Sequence, residues 1–212
     1  MKIKARKVLL NRGEEASSPE VKAFLAEVET GIRAVDWPSG TGRFVIYPVK
    51  QANGVKPIKA ACMAHLKDRG WELEKKFPVG SERVAGPIDA VKKLSSGRFF
   101  AVEWETGNIS SSHRSLNKMA LGMRTGKIGA AVLILPTRAL YKFLTDRVGN
   151  FDELVPYFSF WDHPDASGLL VLVAIEHDAE DLGVSQIPKG TDGRSKRARK
   201  KKRKKTIKKK LD

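Results

Sequence analysis

A chain of 212 residues that is 41% hydrophobic and 30% charged is long enough to bury one compact core, which excludes a protein that is disordered as a whole. Its longest apolar runs, at 130–136 and 168–175, fall far short of the ~20 residues that a membrane span needs. We interpret them as buried strands and expect no membrane association. The single cysteine, Cys62, permits no internal disulfide, and the basic N-terminus lacks the apolar core of a secretory signal. We therefore expect a cytoplasmic protein.

The net charge of +16 is concentrated at the C-terminal end of the chain. Residues 189–212 carry fourteen Lys and Arg and two Asp, a net charge of +12 that leaves only +4 for residues 1–188. Because this segment has so few apolar residues to bury, we predict one folded domain over 1–188 and a disordered basic tail over 189–212. The tail is interpreted either as a segment that holds nucleic acid through its phosphates or as a solubilising or targeting extension.

The first half of the chain predicts two helices and a strand. Ser18 followed by Pro19 is typical of a helix start. The apolar residues that follow recur at helical spacing: Val21, Phe24, Leu25, Val28 and Ile32. The β-branched and aromatic residues of 43–49 favour a strand, and a second apolar stripe predicts a helix over 57–69.

The second half continues to alternate strands and helices. Turn sequences separate three strand-like segments, at 71–79, 86–94 and 97–105. The elements predicted after them are a helix from Ser111 or Ser112 to about 125, a buried strand at 128–135, a helix at 137–147, a short helical piece at 151–158 and a strand at 168–176. This order predicts a single α/β domain built on a mixed β-sheet flanked by helices.

The third strand-like segment carries two carboxylates, Glu103 and Glu105, on one face, because alternate strand residues point to the same side. If the segment 86–94 pairs antiparallel with it, Asp89 lies beside them. Such a cluster needs a cation, and carboxylate oxygens suit Mg²⁺ together with substrate phosphate and water. The alternative is a solvated strand face balanced by lysines. A glycoside hydrolase fits poorly, because its two carboxylates flank the scissile bond from opposite sides.

The helix that follows is rich in polar side chains near its N-terminus, where free N–H groups and the helix dipole favour phosphate. These residues are Ser110, Ser111, Ser112, His113, Arg114, Asn117 and Lys118. Side chains of these types contact phosphates and base edges, although at least one serine is also expected to cap the helix. A metal site beside a DNA-reading helix indicates a nuclease.

The segments GPIDAVK and AVEWETGNISSSHRS resemble the BamHI-type restriction endonucleases, which belong to the PD-(D/E)xK nuclease superfamily. Asp89 is followed after thirteen intervening residues by Glu103, and Glu105 stands where the wider superfamily has lysine, as in the BamHI branch. The resemblance covers almost all of residues 1–194 and does not include the basic tail. It implies the restriction-endonuclease-like fold, a mixed β-sheet flanked by helices.

By this resemblance Asp89 and Glu103 bind the metal, and Glu105 orients or deprotonates the attacking water. A further ligand upstream is assigned to Glu74, with Glu72 as the alternative. The resemblance implies two Mg²⁺ ions per site and hydrolysis of a phosphodiester to a 5′-phosphate and a 3′-hydroxyl.

The resemblance also implies that a homodimer reads a palindromic site in double-stranded DNA, GGATCC or a close relative that contains GATC. The helices near 112–125 and 137–147 are candidates for the subunit interface. The residues implied in DNA binding are Asn108, Ser110 and Arg114 for the inner base pairs, Asp146 and Arg147 for the outer G·C pair, Gly190 and Asp192 for the minor groove, and Lys56 and Lys59 for phosphates. Gly190 and Asp192 belong to a DNA-contacting arm at the start of the segment 189–212, before the basic tail. The alternatives are a non-catalytic basic nucleic-acid-binding protein and a nuclease of the same fold with relaxed specificity.

Overall fold

The computed structural model describes residues 1–76, 78–80, 86–145 and 148–189. Four of the residues assigned to DNA contact lie outside these ranges, namely Asp146, Arg147, Gly190 and Asp192. Except for Lys189, the segment predicted to be a disordered tail lies outside them as well. Within the described ranges, no helix is long and apolar enough to cross a membrane.

A six-stranded sheet forms the centre of the fold. Its strands, in spatial order, are β1 (Lys2–Arg12), β7 (Gly168–Glu176), β6 (Ile128–Pro136), β5 (Phe99–Trp104), β4 (Ile88–Lys93) and β3 (Glu72–Lys75). The neighbours β5, β6 and β7 run parallel, whereas the pairs β1–β7, β4–β5 and β3–β4 are antiparallel. The predicted mixed sheet is therefore confirmed. Two short strands, β2 (Val45–Ile46) and β8 (Ala179–Glu180), form a separate parallel pair.

Helices cover both faces of this sheet. They are α1 (Pro19–Arg33), α2 (Lys56–Asp68), α3 (Ile109–Arg124), α4 (Arg138–Tyr141) and α5 (Phe151–Leu154), with 3₁₀ helices at Glu14–Ser17 and Val155–Trp161. The start of α1 is as predicted, because Ser18 caps it by accepting a hydrogen bond of 3.2 Å from the Val21 N–H. Pro19 then occupies the first turn, where its missing N–H costs nothing.

The alternating side chains of β5 divide the core into two layers. Phe100, Val102 and Trp104 pack with α1 and α2 on one face, whereas Ala101 packs with α3 on the other. The strands β6 and β7 are buried almost throughout, as their continuous apolar runs predict. Glu103 shares the face of Ala101, so its carboxylate points toward the layer that contains α3.

The prediction of a helix over 137–147 is wrong beyond the first turn. Thr137 caps α4 by accepting a hydrogen bond of 3.3 Å from the Leu140 N–H, but the helix ends at Tyr141. The chain then runs alongside the segment before α2, where Asn53 donates its backbone N–H to the Phe143 carbonyl at 3.0 Å. This tertiary pairing replaces intrahelical hydrogen bonds, and intrinsic helix propensity is too weak to prevent it.

Three further boundaries differ from the predictions. The strand predicted over 43–49 forms a ladder only at Val45–Ile46, next to an isolated bridge between Phe44 and Trp37, and it ends shortly before Pro48, which has no N–H to donate. Helix α3 begins at Ile109, two or three residues earlier than expected, because the Asn108 side chain caps it by accepting from the Ser111 N–H at 3.2 Å. The long strand β1 has no counterpart among the predicted elements. It lies at the edge of the sheet, where many of its basic side chains are exposed.

Candidate active site

The β4–β5 hairpin brings Asp89 and Glu103 together at one end of the sheet. Ala90 pairs with Val102 in the antiparallel ladder, so Asp89 and Glu103 occupy the adjoining opposed positions. Asp89 Oδ2 also accepts a hydrogen bond of 2.8 Å from the backbone N–H of β5 at residue 104. Asp89, Glu103 and Glu105 are all more than nine-tenths buried, and together they line a cleft of about 180 Å³. The structure thus brings together the three carboxylates that the sequence placed near one another.

Two lysines from different helices neutralise these carboxylates. The Lys59 ammonium, from α2, forms an ion pair with Asp89 Oδ1 and lies 3.7 Å from Glu74 Oε1. The Lys118 ammonium, from α3, forms an ion pair with Glu103 Oε1 and donates a hydrogen bond of 2.8 Å to the Pro87 carbonyl. Each lysine therefore supplies positive charge to one carboxylate of the β4–β5 pair.

The two lysines do not fully compensate Glu103. Burial and the neighbouring Asp89 charge raise the pKa of Glu103 to about 7, although Lys118 and Lys59 act in the opposite direction. The Lys118 ammonium is the cation paired with Glu103 Oε1, and Lys59 pairs with Asp89 instead. A carboxylate in this position can gain strongly from an additional cation.

Glu105 is held by hydrogen-bond donors at the start of α3. Its Oε1 accepts from the Gly107 N–H at 2.5 Å, and its Oε2 accepts from the Ser112 hydroxyl at 2.6 Å. Burial raises the pKa of Glu105, and these hydrogen bonds oppose the shift. The carboxylate is thus fixed in orientation while its ability to accept a proton is increased. Such a group suits the orientation or deprotonation of water.

The donor set fits a hard divalent cation. Asp89 and Glu103 supply carboxylate oxygens only, which Mg²⁺ prefers when water and phosphate complete its coordination. In the described part of the chain, no three His, Cys, Asp or Glu side chains are grouped closely enough to hold a metal by themselves. Asp89 and Glu103 therefore offer a pair of carboxylates, and water and a substrate phosphate would have to supply the remaining oxygens.

The structure distinguishes the two candidates for the upstream ligand. Glu74 lines a second cavity, which adjoins the first and also contains Lys59 and Asp89. Its backbone φ of 52° lies in the left-handed region, so this residue interrupts the regular pairing of β3 with β4. Glu72 instead forms an ion pair of 2.6 Å with Lys75. Of the two, only Glu74 faces the cleft that holds Asp89.

The predicted base-reading residues of α3 lie beside the carboxylates. Asn108 and Ser110 are exposed at the start of the helix, and Arg114 is exposed one turn later and lines the carboxylate cleft. Lys56 is exposed at the start of α2 and lines the adjoining cavity, whereas Lys59 is engaged with Asp89. The other four assigned DNA contacts cannot be placed, since they lie outside the described residues.

Two of the donors assigned to DNA by their position in the sequence face the protein interior instead. Ser112 is fully buried and donates to Glu105, and Lys118 is 9% exposed and pairs with Glu103. Ser112 could have been recognised, because it precedes Leu116 by four residues and so extends the apolar stripe of the helix toward its N-terminus. No sequence pattern marks Lys118 as buried, because lysine is almost never buried without a partner.

The fold and its cleft define the structural class. A crystal structure of restriction endonuclease BGLII complexed with a DNA 16-mer matches the chain with a TM-score of 0.58 at 15% sequence identity, over 91% of each chain. The predicted restriction-endonuclease-like α/β fold is therefore confirmed.

Sequence comparison places the chain within this class. The family described as "Restriction endonuclease BamHI" matches residues 1–194. The type II restriction enzyme OkrAI of Oceanobacter kriegii is 53% identical over 196 residues, which cover 92% of this chain and 99% of OkrAI. The type II restriction enzyme BamHI of Bacillus amyloliquefaciens is 40% identical over 182 residues, 82% of this chain and 84% of BamHI. The chain belongs to the BamHI family of type II restriction endonucleases, and the predicted family is confirmed.

Proposed function

We propose that this endonuclease cuts double-stranded DNA at a palindromic site that contains GATC, namely GGATCC, by Mg²⁺-dependent hydrolysis of the phosphodiester. The observation that carries the proposal is the position of the carboxylate cleft directly beside the N-terminus of α3. Bases read by this helix and the phosphate attacked at the cleft would belong to the same short stretch of DNA. The similarity to OkrAI and BamHI supports the choice of sequence.

In the proposed reaction Asp89 and Glu103 would hold two Mg²⁺ ions, with Glu74 as the further ligand. The metal would supply charge stabilisation at the phosphate and lower the pKa of water. Glu105 orients or deprotonates the attacking water, since Ser112 and the adjacent backbone fix its carboxylate. The products are a 5′-phosphate and a 3′-hydroxyl.

The proposed base readout follows the chemistry of the side chains. Asn108, Ser110 and Arg114 read the inner base pairs from the major groove. Arg147 donates to guanine O6 and N7 of the outer pair, and Asp146 accepts from cytosine N4. Further proposed contacts are those of Gly190 and Asp192 in the minor groove and of Lys56 and Lys59 with phosphates.

A palindromic site also calls for a two-fold homodimer, with one cleft for each strand. The 3₁₀ helix Val155–Trp161 exposes Tyr157 and Phe160, at 51% and 70%, and Leu121 of α3 is exposed beside them at 41%. Phe160 and Leu121 line a largely apolar hollow between the two helices. We propose that this surface lies in the subunit interface together with α3, and the segment 137–147 stays the other candidate.

Digestion of a mixed-sequence plasmid in Mg²⁺ tests the proposed function. Discrete fragments are expected, whereas a smear would indicate relaxed specificity and an uncut plasmid would indicate non-catalytic binding. Asp89→Asn and Glu103→Gln should abolish cutting, because each removes an anionic ligand. Both should still bind DNA in EDTA, because the base-reading side chains are unchanged. Glu72→Gln is the matched control, since Glu72 pairs with Lys75 outside the cleft.

A further inference from the structure

Buried polar side chains of helix α3 contact both carboxylates at the C-terminal end of β5. The Ser112 hydroxyl lies 2.6 Å from Glu105 Oε2, and the Lys118 ammonium pairs with Glu103 while bonding the Pro87 carbonyl at 2.8 Å. Neither contact caps the helix, since Asn108 performs that role. The helix whose first turn carries the candidate base-reading residues therefore also holds the candidate catalytic groups.

A second segment packs against the same serine. A Cβ atom at Gly149 would lie 2.4 Å from Ser112 Oγ, closer than any real contact, and 3.2 Å from Ile109 Cα. The Gly149 N–H also donates to the Gly107 carbonyl at 2.8 Å. Gly149 follows Arg147 by two residues, so the segment that continues from the proposed outer-reading pair contacts the side chain that holds Glu105.

We propose that Ser112 and Lys118 are positioning residues that couple base reading to the rate of cleavage. This inference rests on the proposed function, because it assumes that α3 and the segment before Gly149 contact the bases. A wrong base pair that displaces either segment moves Ser112 away from Glu105 and misorients that carboxylate. Mismatches then reduce turnover in addition to binding.

A double-mutant cycle between Ser112→Ala and Gly149→Ala tests the contact directly. Each single variant should slow single-turnover cleavage by about tenfold or more, because each removes or displaces the hydroxyl that holds Glu105. Adding Gly149→Ala to Ser112→Ala should slow cleavage by a clearly smaller factor than Gly149→Ala does in the parent, since the contact with the Ser112 oxygen is gone and only the 3.2 Å contact with Ile109 Cα remains. DNA dissociation constants in EDTA should change by less than about twofold in all three variants, because no base-reading group is altered.

Coupling is measured with a duplex that carries one changed inner base pair. The fold reduction in cleavage rate caused by this mismatch should be smaller in Ser112→Ala than in the parent, because the link to Glu105 is already broken. The contact between Lys118 and Glu103 is tested separately. Lys118→Met should slow cleavage, and Lys118→Arg should restore part of the rate. Ser39→Ala, in an exposed turn before β2, is the control and should match the parent.

The inference would be overturned if the rate reductions of the two single variants multiplied in the double variant. It would also be overturned if Ser112→Ala kept the mismatch penalty of the parent. A third contradicting result would be rate reductions that simply follow reductions in the urea unfolding midpoint. Cleavage by the parent enzyme in the same assay distinguishes failure of the proposed function from failure of the coupling. A parent that cuts no duplex rejects the proposed function, and the coupling with it. A parent that cuts, with variants that behave independently, rejects the coupling alone.

Discussion

Glu105 occupies a position where only a hydrogen-bond acceptor fits. Two donors, the Gly107 N–H and the Ser112 hydroxyl, converge on its carboxylate in a site that is 5% exposed. Glu105→Lys restores the residue usual in the wider PD-(D/E)xK pattern, yet we expect it to lower the cleavage rate by about 100-fold or more. The lysine would leave both donors unpaired and bury an additional cation.

Glu105→Gln controls for the effect on folding, because the amide retains an acceptor oxygen. It should slow cleavage while keeping a urea unfolding midpoint close to that of the parent, whereas Glu105→Lys should lower both. Near-parent cleavage by Glu105→Lys would show that the role assigned to the Glu105 carboxylate is wrong.

The raised pKa of Glu103 predicts how the metal-free protein responds to pH. Folding raises this pKa from 4.5 to about 7, so the folded state binds more protons than the unfolded state between these values. The stability contributed by protonated Glu103 is complete below pH 4.5 and is lost as the pH rises through 7, by at most about 3 kcal/mol. Glu103→Gln cannot titrate, so its stability relative to the parent should increase across this interval.

Urea unfolding in EDTA at several pH values measures this difference between the parent and Glu103→Gln. A difference that stays constant from pH 4.5 to 8 would show that Glu103 keeps an ordinary pKa. Addition of Mg²⁺ at pH 8 should stabilise the parent more than the variant, because the ion binds the ionised carboxylate.

At the residue scale, the sequence predicted the carboxylates better than their partners. Alternation in a strand is enough to place Glu103 and Glu105 on one face, and the hairpin then places Asp89 opposite Glu103. The lysines that neutralise them come from α2, which precedes the hairpin by some twenty residues, and from the third turn of α3, which follows it. Their contacts depend on how the helices pack on the sheet, and neither composition nor local spacing encodes that packing.

At the scale of elements, the exposed apolar surface next to α3 predicts that two copies of the chain associate. Phe160→Lys should convert a dimer into monomers, because it places a charge in the surface proposed to be covered by the second subunit. Light scattering coupled to size-exclusion chromatography measures the mass. Leu182→Lys is the matched control, since Leu182 is also 70% exposed but lies after β8, away from this surface. A dimer that persists in Phe160→Lys would exclude this interface.

The elements that could be predicted are those with strong local patterns. The continuous apolar runs of β6 and β7 and the Ser18–Pro19 start of α1 are encoded by neighbouring residues. The helix predicted over 137–147 failed because tertiary hydrogen bonds from the 51–53 segment compete with its second turn. The edge strand β1 likewise owes its conformation to β7, which pairs along its whole length.

At the scale of the whole molecule, the basic tail and the folded domain should have separable effects on DNA binding. Deleting residues 195–212 should leave the cut sequence unchanged, because the resemblance and the family match both end at residue 194. Non-specific affinity should fall, and its dependence on log salt should flatten by about 0.9 for each phosphate that the tail no longer neutralises. Filter binding across a salt series measures both quantities, and a changed cleavage site would mean that the tail reads bases.

Site-specific cleavage is the activity that requires the cleft, α3 and the proposed dimer together. Its most direct test is to digest unmethylated genomic DNA with the full chain in Mg²⁺ and to sequence the fragment ends. We predict that every end derives from GGATCC. Ends with GATC but other outer bases would contradict only the roles given to Asp146 and Arg147, whereas ends that lack GATC would contradict the proposed specificity as a whole.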